Sequence, residues 1–136
     1  MTLAQAPKTN HVATSNWIFV EGSKILENLC DHPVSLRDDE GNQITLLESP
    51  RPARCNVEKR PVALLNIDNR VMLPVMESHV TEVTNVPPFD ARRMYIVPLP
   101  VAKKLHTRTD LLCMDQLMRS ARNNEVVCAM AVQRPI

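Results

Sequence analysis

The chain has 136 residues, with 16 Lys and Arg against 15 Asp and Glu and a formal charge of +1. That length fits one domain, and that balance gives no global attraction for nucleic acid or acidic membranes. No apolar run approaches the roughly 18 residues of a membrane span, and the first 20 residues lack the cationic start and continuous apolar centre of a secretory signal, so a cytoplasmic protein is expected.

Residues 1 to 24 read as an N-terminal arm. The first 15 or so are polar and aperiodic, and Trp17 to Val20 form an apolar cluster that can anchor the arm as a strand, with Trp17 and Phe19 as its candidate contacts for a partner. Ser23 to Leu29 fits a helical turn capped by Ser23 or an extended segment. Val34 and Leu36, then Ile44 and Leu46, alternate with polar residues around Arg37 to Asn42, a period-two pattern across an acidic turn with one glycine that predicts a hairpin. A further strand begins at Ala53 to Val57, before Pro61. Val62 to Ile67, the turn Asp68-Asn69 and Val71 to Met76 predict a second hairpin, in which Pro74 demotes the later strand to an edge or bulge. Val80 to Val86 continues the strand signal.

Tyr95 to Val97 reads as a short buried strand closed by Pro98. Pro100 opens a helix through Val101 to Leu105, whose lysines complement its negative end. Leu111 to Arg122 fits an amphipathic helix by propensity and equally a strand of a terminal hairpin with residues 125 to 132. Eleven prolines against two glycines, Gly22 and Gly41, favour short elements ended by fixed φ and missing donors. With Trp17, Phe19, Phe89 and Tyr95 as the aromatics, no base-stacking surface and no nucleic-acid partner are expected.

Cys30, Cys55, Cys113 and Cys128 contain no C-x-x-C pair and read as free, mostly buried thiols. Cys30, His32 and Cys55 lack the paired-ligand spacing of zinc motifs, so no metal and no cofactor is expected. No serine has a nucleophile-elbow context and two glycines cannot make a phosphate loop. No catalytic set is assigned; His32 with Asp110 or Asp90 is the minimal acid–base pair an enzyme would need.

Asn28-Leu29, His32-Pro33-Val34 and Gly41 resemble the opening of a family of small uncharacterised bacterial, phage and fungal proteins, which start with an Asn-Leu-Thr-Pro-His-Pro-Val-like segment. The similarity continues through Pro52 to Val57, Val83 to Pro87, Met94 to Val97, Val101-Ala102 and Arg108 to Leu111, over roughly residues 25 to 132. Cys30-Asp31 replace the usual Thr-Pro, Pro98 replaces a serine, and the last turn lacks its glycine. The resemblance implies that residues 25 to 29 form a core strand, that 117 to 132 form a hairpin and that 1 to 24 are an addition. It carries no activity.

The polar positions shared with that family are Asn28, His32, Arg54, Tyr95, Arg108 and Asp110, which form the candidate ligand-binding set. Asn28 and His32 share a face if extended, and arginines supply forked donors to phosphate or carboxylate. The blander reading has Asn28 bonding backbone at a turn and Arg108 pairing with Asp110. The expected fold is α+β: a single compact β-rich domain over 25–136 of short antiparallel strands and hairpins with one or two short helices, plus the arm over 1–24. The expected function is non-enzymatic binding of a small anionic or nucleotide-like ligand by an accessory protein. The alternative is a structural or protein-interaction module that assembles, as a homo-oligomer or with a protein partner, through its arm and edge strands.

Overall fold

The computed structural model describes residues 6–134. In chain order it contains β1 (Thr9–Val12), β2 (Trp17–Val20), β3 (Lys24–Asn28), β4 (Val34–Arg37), β5 (Asn42–Leu46), β6 (Arg54–Ile67), β7 (Val71–Thr84), β8 (Arg93–Ile96), α1 (Leu99–Lys104), β9 (Leu111–Arg119) and β10 (Val126–Gln133). Eight strands form one curled sheet in the order β1-β5-β4-β10-β9-β8-β3-β2, and β6 pairs with β7 in a separate ribbon. No helix among the described residues is long and apolar enough to cross a membrane.

The predicted hairpin at 34–46 forms with Val34 opposite Leu46 and Leu36 opposite Ile44. Its turn is held by Asp38, whose carboxylate accepts the Glu40 and Asn42 backbone N–H groups and the Asn42 side-chain amide. Those bonds, led by that from the Asn42 backbone, hold the Asp38 carboxyl below its usual range. Gly41 takes φ 88°, and a Cβ there would meet the Lys8 side chain at 3.1 Å, so both the left-handed backbone and the close approach require glycine. The 111–122 ambiguity resolves as a strand: β9 pairs antiparallel with β10. Its turn places Asn124 at φ 59°, a conformation asparagine tolerates in place of glycine.

Two expectations are corrected. The sheet is mixed, with parallel pairs β1/β5, β3/β8, β8/β9 and β4/β10. The β8–α1–β9 unit explains one of them, because a crossover through a helix returns the chain in the same direction. Nor are all strands short: β6 and β7 have 14 residues each and run through Pro61 and Pro74. A proline opposite Met76, and another opposite Leu64, survive because a two-stranded ribbon leaves every second N–H of each strand facing outward. Residues 9–12 and 17–20 are strands of the main sheet, β1 on β5 and β2 on β3, so Trp17 to Val20 anchor as expected while the segment before them is built in; residues 1–5 of the predicted arm lie outside the described residues.

The centre of the sheet is buried on both faces, and neighbouring residues go to opposite sides. Leu29, Tyr95, Val97 and Cys113 pack with Val101 and Ala102 of α1 and with Cys55 and Val83 at the root of the ribbon. Cys30, Ile96, Leu46 and Val34 pack inside the curl with Leu26, Leu36 and Met114. Burial on both faces is why 95–97 reads as an uninterrupted apolar run. In the first turn of α1 Pro100 costs nothing, as its missing N–H would be unpaired there in any residue.

All four cysteines are free, with Cys30, Cys113 and Cys128 buried and Cys55 half-buried. Burial, aided by Asp31, pushes the Cys30 thiol from 9.0 up to about 12, and burial also raises Cys113. A thiol reagent at pH 8 is therefore expected to modify Cys55 quickly and Cys30 and Cys113 only as the protein unfolds; rapid modification of all four in the native protein would contradict this packing. Because the folded state keeps the Cys30 proton where the unfolded chain loses it, the stability this thiol contributes is complete below pH 9.0 and is lost as pH rises from there to about 12.

Candidate interaction surface

The ribbon of β6 and β7 leaves the body at the pair Arg54 and Thr84 and turns at Asp68 and Asn69. Both turn residues have positive φ, 54° and 55°, which Asp and Asn adopt at little cost. The turn is closed by the Arg70 N–H donating to the Ile67 carbonyl and by reciprocal bonds between Asn66 and Asn69.

Cross-strand partners share a face and faces alternate along a strand. In the outer half, one face therefore carries Ile67 with Val71, Leu65 with Leu73, and Ala63 with Val75. The other carries Asn66 with Met72, Leu64 with Pro74, and Pro61 with Met76, a bulge at Val62 preserving this alternation. Residues 61–67 and 71–76 include no charged side chain, and all are exposed. The inner half differs: Glu58, Lys59 and Arg60 face His79, Ser78 and Glu77, with an Arg60–Glu58 ion pair at 3.4 Å and the His79 Nε2 3.2 Å from a Glu77 carboxylate oxygen. The ribbon is thus charged where it leaves the body and apolar on both faces toward its tip.

The six predicted ligand residues fall into two groups. At the β3–β4 turn, fully buried Asn28 donates through Nδ2 to the His32 and Leu47 carbonyls and accepts the Cys30 N–H at Oδ1. Its amide meets the His32 carbonyl and not the imidazole, whose Nδ1 lies 2.9 Å from the Pro33 carbonyl oxygen. Arg54 lies 3.9 Å from exposed Asp31. Just before β9, Arg108 grips Asp110 through two parallel bonds, Nε to Oδ1 at 3.0 Å and Nη2 to Oδ2 at 2.5 Å, and donates Nη1 to the Pro87 carbonyl. The bonds to Asp110 raise the Arg108 pKa further, and burial raises that of Tyr95, the strand neighbour of Leu111. Asp90, the other candidate acid, accepts the Arg92 N–H and lies 3.9 Å from Arg93. Neither Asp90 nor Asp110 bonds to His32.

Two concave regions accompany these residues. A cleft of about 600 Å³ runs past Glu27, Pro87, Phe89, Arg93 and Tyr95, and its Glu27–Arg93 pair closes at 3.0 Å. A cavity of about 530 Å³ opens inside the curl, lined by Ile18, Leu26, Leu36, Ile44, Leu46 and Ala129, with the Arg37 Nε donating to Gln43 Oε1 at its wall. Among the described residues every buried side-chain N and O atom has a hydrogen-bond partner, and no three His, Cys, Asp or Glu side chains converge as metal ligands. Trp17 and Phe19 stack edge to face with centroids 5.2 Å apart, Phe19 being largely exposed.

No family model, curated protein or solved structure matches this chain at a significant level. The surface must therefore be read from its own chemistry. The hairpin itself is legible in the sequence, but its exposure is not. A continuous apolar run in a strand ordinarily signals burial within the domain, and here the same run extends into solvent.

Proposed function

We propose that this protein is a non-enzymatic assembly module that docks on a protein surface through the β6–β7 ribbon. The observation that carries the reading is an outer half apolar on both faces and uncharged from 61 to 67 and 71 to 76. An isolated two-stranded hairpin is at best marginally stable in water, and apolar patches of this kind mark interaction sites. The six polar candidates support a ligand-binding reading less well, since the strongest donors and acceptors among them already serve one another or the backbone.

The ribbon can be removed without touching the core. Replacing residues 58–79 by Asn-Gly joins the paired Val57 and Val80 through a two-residue turn and keeps Cys55 and Val83 in place. Light scattering on the purified chain, with its associated proteins, is expected to show a complex for the intact protein and a single-chain mass for the trimmed one. The same mass for both proteins, with both unfolding cooperatively, would refute the reading.

A further inference from the structure

We infer that the surface covering the ribbon is a second copy of this chain, each ribbon buried on both faces by the other copy. This rests on the assembly reading above and adds the identity of the partner and the mode of contact.

The area comes first. A standard interface removes about 800 Å² from each partner. Nine large apolar side chains between Val62 and Met76, each 42–66 % exposed, present an area of that order. Either face alone offers about half of it, short of a standard interface, so a stable complex needs both.

The mode of contact follows from the two prolines. In a two-stranded ribbon each strand has a free edge open to strand addition. Pro74 on β7 and Pro61 on β6 lie opposite Leu64 and Met76, so neither supplies an outward N–H to its edge. The free edges are interrupted within the apolar half, where a new strand would have to pair. Recognition is left to side chains, and the faces dock.

Charge points to a like partner. Residues 61–67 and 71–76 have no charge with which to select a complementary surface on another protein, and the turn's Asp68 and Arg70 already pair with each other at 3.4 Å. The inner half carries Glu58, Glu77 and Glu82 beside Lys59 and Arg60, a mixture of signs that a two-fold related copy can meet with its own.

The test is light scattering at tens of micromolar on the full chain, on Leu65→Glu/Leu73→Glu for one face and on Leu64→Glu/Met72→Glu for the other. The expected result is a dimer or larger closed assembly for the native chain and a single-chain mass for each double variant, with the cooperative unfolding of the body retained. If the native chain is monomeric while a ribbon-dependent complex with another protein exists, the second-copy inference is overturned and the assembly reading stands. If the native chain is oligomeric and the trimmed chain equally so, both fail. If the second double variant stays assembled, burial of both faces is overturned.

Discussion

Asp110→Asn is expected to lower the unfolding free energy by about 3 kcal/mol, the low end of the 3–5 kcal/mol that breaking a buried ion pair costs. The Asp110 side chain is 3 % exposed and that of Arg108 is 22 %, so the guanidinium left behind stays largely out of water. The pair does more than neutralise charge. Arg108 reaches the Pro87 carbonyl with its remaining arm, while the Asp110 carbonyl accepts the Tyr95 N–H. Together they tie the return from the ribbon, the link out of α1 and the start of β9 to the centre of the sheet. Arg108→Lys keeps the charge and loses the fork, so about 2 kcal/mol of the same loss is expected. Urea denaturation measures both; a change below about 1 kcal/mol in both variants, the range of exposed pairs, would show that the fork does not hold these segments.

Asn28→Asp is expected to be worse than Asn28→Ala, although it is nearly isosteric. In the native protein Nδ2 faces two carbonyl oxygens, of His32 at 3.0 Å and Leu47 at 2.9 Å. An aspartate puts an acceptor there, opposing two acceptors in a site with no solvent access. Alanine abandons three bonds, costing about 3 kcal/mol at 1–3 kcal/mol for each buried group left unpaired. The carboxylate adds the desolvation of a charge and is expected to cost about 4 kcal/mol or more. Protonation restores one donor, so the aspartate variant should regain stability as pH falls toward 5, whereas the alanine variant should not. Thermal unfolding at pH 5 and pH 8 checks this. An aspartate variant as stable as alanine at both values would mean that Nδ2 does not bond those carbonyls.

Much of the local structure was legible because local chemistry decides it. The 34–46 and 62–76 hairpins rest on turn residues suited to their backbone, Asp38, Gly41, Asp68 and Asn69, and Pro100 marks the helix start. Tyr95 to Val97 announced its burial through composition alone. The Arg108–Asp110 pairing and the backbone role of Asn28 follow from short sequence separation, and the blander reading of each is the one the geometry has. Strand direction was not legible, because side-chain period two is the same in parallel and antiparallel pairs. The incorporation of residues 9–12 escaped for a related reason: β1 is a solvent-exposed edge strand with no apolar alternation, held by backbone pairing that side chains do not advertise. The ribbon was read as strand, but whether an apolar run lies inside its own domain or awaits a partner depends on tertiary placement.

The position of β10 bears on the birth of the molecule. It follows the other nine strands in chain order, yet it lies between β4 and β9, joining the first part of the sheet to the second. Until residues 126–133 emerge, β1, β5 and β4 are one fragment, β2, β3, β8 and β9 another, and neither can close the curl. Non-local pairing of this sort folds slowly and leaves edges open meanwhile. Throughout that interval the sticky ribbon has already been synthesised. Deletion of residues 126–133 is therefore expected to leave the curl unclosed and to send the chain to aggregation or proteolysis.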